Sequence, residues 1–155
     1  MNSSRKILLL VSALLVASGA CRAQEKKIKR SDLPPAVEKT VAAQSTGATF
    51  RGFSKEEEAG KQYYEAEMTV NGHSKDLLIA SNGTVVEVEE EVAFDSLSPE
   101  VKAGLQAKAG SGKIKKVESI TKHDKIVAYE AIVESAGKKS EVQVGPDGNP
   151  LNHQQ

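Results

Sequence analysis

YEAEMTVNG (residues 64–72) and YEAIVESAG (residues 129–137) are two versions of one phrase within a chain of 155 residues. In the first, Tyr64, Ala66, Met68 and Val70 alternate with Tyr63, Glu65, Glu67 and Thr69, the period of a strand with one buried face. Asn71-Gly72 is a tight-turn signal, and the Leu77/Ile79 face continues the pattern on a return strand. The second copy supplies Tyr129, Ala131 and Val133, then Ala136-Gly137, then Val142 and Val144.

Outward from the phrase, the match persists in order. LPPAVEK (residues 33–39) meets LSPEVKA (residues 97–103) at an offset of 64. One residue is then gained, and Tyr64 falls on Tyr129, Gly72 on Gly137 and Asn82-Gly83 on Asp147-Gly148. Short motifs matching by chance would not keep a near-constant offset, so the chain is an internal duplication.

Each copy opens with a short helix. Ser98 can cap, Pro99 suits a first turn, and Leu97, Val101 and Leu105 recur every four residues; Leu33, Val37 and Val41 repeat that stripe. Gly47 and the Gly110-Ser111-Gly112 cluster end the two helices. Between helix and phrase, Phe50/Phe53 and Ile114/Val117/Ile120 are spaced by three, which fits a short helix or, the preferred reading, a bulged strand. The expected fold is α+β: two tandem repeats, each a short helix packed on a three- to four-stranded antiparallel sheet, after an N-terminal signal peptide. The expected boundaries are 1–23 for the signal peptide, 24–30 for a basic linker, 31–92 for the first repeat and 93–155 for the second with its polar tail.

The signal is read from Arg5-Lys6, the apolar run from Ile7 to about Ala17, and the small residues after it. That run is too short to span a bilayer. Two cuts are open: before Gln24, or before Cys21 with lipidation of that thiol. Ser18 stands where a lipoprotein signal usually carries a large aliphatic residue. Cys21 is the only cysteine, so the mature fold has no internal disulfide to rely on. The chain carries 21 basic and 21 acidic residues, and cutting before Gln24 removes only Arg5, Lys6 and Arg22 among them. The small acidic excess left gives no electrostatic case for nucleic acid, and none is expected as a partner. KKIKR (residues 26–30) is read as a solvated tether.

No catalytic constellation stands out. His73, His123 and His153 are scattered without a second ligand at zinc spacing, and GxSxG, HExxH and CxxC are absent. No cofactor and no metal site are expected. Glu87, Glu89 and Glu91 share one side of a strand and are read as a charged guard on an exposed edge. One feature exceeds a plain sheet. The strand at residues 126–134 is apolar on both sides, so Ile126, Ala128 and Ile132 would meet the other repeat or a partner, with Tyr63 as a contact candidate on the outer face of the first repeat.

A Leu-Pro helix start, a Tyr-Glu-Ala strand, a Gly turn, a second strand and an Asp/Asn-Gly turn before an aliphatic strand resemble the PepSY family. YEAIVESAGKKSEVQVGPDGNPL (residues 129–151) is the closer copy; the first replaces Pro-Asp-Gly with Ser-Asn-Gly and runs into EVEEEV. The tandem arrangement also resembles PepSY-like proteins compared in fold with proteinaceous β-lactamase inhibitors. The resemblance implies an exported, non-catalytic protein-binding module that modulates or inhibits a secreted peptidase or other envelope enzyme, with no catalytic residues to carry over. The rival readings are a small-ligand carrier and a passive envelope-associated lipoprotein. The implied partner is an extracytoplasmic protein, with membrane contact only through lipid on Cys21.

Overall fold

A computed structural model describes residues 25–58 and 60–155. The signal segment, Cys21 and both cleavage points lie outside the described residues. The chain forms β1 (Lys26–Lys27), α1 (Pro35–Gln44), β2 (Ala48–Glu58), β3 (Lys61–Val70), β4 (His73–Ala80), β5 (Val85–Glu91), α2 (Pro99–Ala109), β6 (Lys113–Lys122), β7 (Lys125–Ser135) and β8 (Lys138–Val144), with a single 3-10 turn before each helix. All eight strands make one antiparallel sheet in sequence order. The α+β expectation holds, and the two repeats join edge to edge through β5 and β6 rather than face to face.

Both helices lie on the same face. Val37 and Val41 of α1 bury against Ala66, Met68, Leu77 and Ile79; Val101 and Leu105 of α2 bury against Val117, Ala131, Val133 and Val144. Val88, packed on the first core, is in register with Thr121, and the neighbouring Glu90 with Ser119, which pairs with Tyr129 of the second core. Residues opposite one another in a ladder share a face, so the two cores form one layer. Each fully buried aliphatic side chain contributes about 1.5–3 kcal/mol of transfer free energy, which is what holds helices of ten and eleven residues in place. Ser98 caps α2 as expected, its Oγ accepting from the Val101 N–H at 3.3 Å.

The duplication extends further upstream than the sequence match. The Ile28 N–H donates to the Phe53 carbonyl at 3.0 Å, and the Val92 N–H, 64 residues on, donates to the Val117 carbonyl at 2.9 Å. β1 is therefore the truncated counterpart of β5. The stretch read as a solvated tether is partly tied into the sheet: Lys26 and Lys27 pair with Lys55 and Ser54, and Ile28 packs on the first core. β5 corrects a second expectation. It is an interior strand, bonded to β4 on one side and β6 on the other, so its glutamates guard no edge.

The residue gained between repeats can be located. Glu57 pairs with Gln62 and Glu56 with Tyr63; their counterparts Thr121 and Ile120 pair with Ile126 and Ala128, which leaves Val127 as an extra, bulged residue. A bulge reverses the alternation beyond it. Ile126 consequently stands in the row of Thr121 and Val88, on the helix side, and not beside Ala128 and Ile132 as uninterrupted alternation predicts. Bulges also explain the spacing of three. The register shifts between Phe50 and Gly52 and between Ile114 and Lys116, so Phe50/Phe53 and Ile114/Val117 each return to the core face.

Each closing turn docks on its helix through a glycine. A Cβ on Gly83 (φ +88°) would lie 2.7 Å from the Ala36 carbonyl oxygen, and one on Gly148 (φ +77°) would lie 2.1 Å from that of Glu100. Thr40 Oγ1 donates to the Gly83 carbonyl at 2.6 Å. Its counterpart is Gly104, where any Cβ would meet the Gly148 oxygen at 2.1 Å.

Candidate functional site: the helix-free sheet face

With both helices on one side, the side chains of the opposite face have no helix over them among the described residues. Alternation puts Ser54, Glu56, Tyr63, Glu65, Glu67, Asp76, Leu78, Glu87 and Glu89 there in the first repeat, and Lys116, Glu118, Ile120, Ala128, Glu130, Ile132 and Gln143 in the second. The chain is charge-balanced overall, yet this face is strongly acidic.

Its middle is an ion-pair and hydrogen-bond network. Lys116 Nζ donates to Glu118 Oε1 at 2.7 Å, and Ser74 Oγ donates to the same oxygen at 2.7 Å. The Ser74 N–H and hydroxyl reach Glu91 at 3.0 and 3.3 Å, and the N–H bond in particular holds the Glu91 carboxyl below its ordinary value. Arg51 pairs with Asp76, and Lys122 Nζ meets Glu87 at 2.9 Å. These bonds satisfy Glu118, which is only 4% exposed; a charge that deep without partners would be strongly destabilising.

Several carboxylates of this face lack such a cation, Glu65, Glu89 and Glu130 among them. Glu65 accepts from Ser54 Oγ at 3.0 Å, but burial outweighs that bond and pushes its carboxyl up to about 7. Glu130 accepts from Gln143 Nε2 at 2.7 Å and is likewise raised, with burial the larger cause. Glu89 is pushed up to about 8 by burial and then by the neighbouring Glu87. Glu56, Glu65, Asp76, Glu87 and Glu89, with Glu25, surround a hollow of about 260 Å³ over Leu78.

Carboxylate oxygens of Asp76, Glu89 and Glu118 lie within 4.8 Å of one another, as do those of Glu25, Glu65 and Glu67. Oxygen ligands at such spacing suit a hard cation. In the first group, however, Arg51 and Lys116 already neutralise two of the three. Spacing along the sequence could not reveal either group, because sheet register brings their members together from separate strands.

Of the contact candidates, Tyr63 is half-buried and lines a hollow of about 530 Å³ with Ala80 and Val86. Ala128 is fully buried, in register with Ile120. Ile132 is half-buried on the outer face between Lys116 and Glu141. Ile126 is 43% exposed, near the β6–β7 turn and in the other row. His73 lies 3.8 Å from Glu91 and is exposed; His123 is in a turn with positive φ, and His153 is in the exposed tail. A separate hollow of about 560 Å³ lies between the end of α2 and β6, lined by Phe94, Gln106 and Ile114 among others.

No protein-family model and no curated protein matches the chain. Solved structures do. A BLIP-like protein from Bacteroides fragilis is 19% identical, with 76% of this chain and 82% of that one covered at a TM-score of 0.52. A Bacteroides eggerthii protein described as periplasmic is 17% identical, with 78% and 87% covered and a TM-score of 0.60. A DUF2874 family protein from Bacteroides ovatus is 20% identical, with 78% and 86% covered and a TM-score of 0.57. The chain thus has a BLIP-like fold: an antiparallel sheet with helices on one side. Among the described residues, no helix is long and apolar enough to cross a membrane.

Proposed function

We propose that this is an exported, non-catalytic tandem PepSY-like module that binds a protein through the helix-free face of its sheet and thereby modulates a secreted peptidase or another envelope enzyme. The observation that carries the reading is the placement of both helices on one face, which leaves the other, spanning eight strands, to solvent or a partner. The export signal read at the N-terminus and the BLIP-like fold support it. No nucleophile–base pair emerged from the sequence, which fits a binding role. Cys21, if retained at the mature N-terminus, supplies a lipid anchor.

The test is capture from envelope extract with three baits: the mature chain, a Tyr63→Ser/Ile132→Thr variant on the outer face, and a Lys102→Glu variant on α2. Circular dichroism establishes that all three are folded. A partner held by the first and third baits and lost by the second supports the reading. Identical recovery with all three removes the outer face from the function.

A further inference from the structure

The outer face carries more carboxylates than its own cations pair. Over its middle the cations are Arg51, Lys116 and Lys122, each already engaged by Asp76, Glu118 and Glu87 respectively. Further lysines stand on the edge strand, with Lys27 opposite Ser54, and at the strand ends, with Lys61 opposite Glu58 and Lys113 opposite Glu134. Among the described residues, no lysine or arginine lies at salt-bridge distance from Glu65, Glu89 or Glu130. Burial disfavours the ionised forms of all three. A face on which every internal cation is engaged and buried carboxylates remain without one is complementary to positive charge brought from outside.

We propose that this face receives its protein partner through arginine or lysine side chains on the partner's surface, with Glu65, Glu89 and Glu130 as the acceptors. The inference rests on the binding role proposed above and adds the chemistry of the partner. Two features select a protein rather than a free ion. Glu65 on β3 and Glu130 on β7 are separated by four strand spacings, roughly 19 Å across the sheet alone, more than one ion can bridge. The same face also presents Leu78 and Ile132, both half-buried, apolar surface along which long basic side chains can lay their methylenes. Anionic surfaces, nucleic acid and acidic lipid included, are repelled by the same charges.

The experiment uses the mature chain, with fluorescence anisotropy of a labelled hexa-arginine peptide at physiological salt and its hexa-citrulline analogue as the uncharged probe. The expected result is measurable binding of the arginine peptide alone, weakened at least about tenfold in E65Q/E89Q/E130Q. It should change less than about twofold in E57Q/D95N/E100Q, which removes the same charge elsewhere. Glutamine at the three acceptor positions is close in shape to the protonated acid, so the variant should fold; its thermal melt checks that. Equal weakening in both variants, or undiminished binding in E65Q/E89Q/E130Q, overturns the proposal. Calcium chloride binding that is lost in E65Q/E89Q/E130Q while the arginine peptide still binds would overturn it in favour of a metal site. None of these results bears on the capture experiment, whose outer-face variant is neutral, so the two readings can fail separately.

Discussion

The two halves of the molecule share a backbone plan and differ in what holds it. In the first, the 3-10 turn before α1 is pinned by Arg30, whose guanidinium pairs with Glu38 at 2.7 Å and lies 4.6 Å over the Phe50 ring. In the second, the equivalent position is Phe94, which packs directly on the core. The first half fastens its closing turn with the Thr40 hydroxyl; the second omits that side chain and lets backbone meet backbone at Gly104 and Gly148. The comparison teaches that a duplicated fold keeps geometry while exchanging polar fasteners for steric fit.

The sharpest way to break that comparison is at the two docking glycines. Gly148→Ala should destabilise by about 3–5 kcal/mol, since a Cβ would strike backbone at a positive φ; Gly83→Ala, with more room, by about 2–3 kcal/mol. Urea denaturation of both variants measures the difference, and equal effects would mean that the closer fit in the second half carries no extra weight. Next are the fasteners of the 3-10 turns. Phe94→Ala should cost about 2 kcal/mol through lost packing, while Arg30→Ala, at an exposed pair, should cost less than about 1 kcal/mol.

A smaller effect separates the carboxylates by pH. Glu65 and Glu89 bind protons more tightly folded than at the ordinary value of 4.5. Between roughly pH 5 and 8, the folded state therefore holds protons that the unfolded state has released, and their contribution to stability falls as pH rises. Thermal melts across that range should flatten in Glu89→Gln. A slope left unchanged in both Glu65→Gln and Glu89→Gln would show that neither group titrates as its burial requires. Deleting Val127 tests the register of the second half. If it is an insertion into an otherwise common hairpin, its removal should restore the register of the first half at a cost within about 1–2 kcal/mol. Loss of the fold in that variant would show that the second half depends on the bulge.

The repeats, the helices and the strand faces were legible because alternation and fourfold spacing report burial directly. Two things were not. The bulge at Val127 is invisible to simple alternation, which assigns Ile126 to the face of Ala128 and Ile132. Only the step in offset between the copies marks it. The counterpart of β5 at Lys26 and Lys27 was hidden by charge: KKIKR reads as a solvated arm, although Ile28 precedes Leu33 by the same interval as Val92 precedes Leu97. The acidic face was half visible. Glu87, Glu89 and Glu91 were placed on a common side, but their neighbours come from strands whose pairing no local pattern specifies, so an interior row passed for a guarded edge.

β5 ends one repeat by pairing with β4 and begins the next by pairing with β6. Any cut there orphans one side, so a fragment keeping only β6 to β8 and α2 would bare a ladder that the intact chain never shows to water. The intact chain should therefore melt in a single transition, and a substitution in that strand should be felt by both copies. Duplication here has produced neighbours sharing a party wall, which neither can rebuild alone.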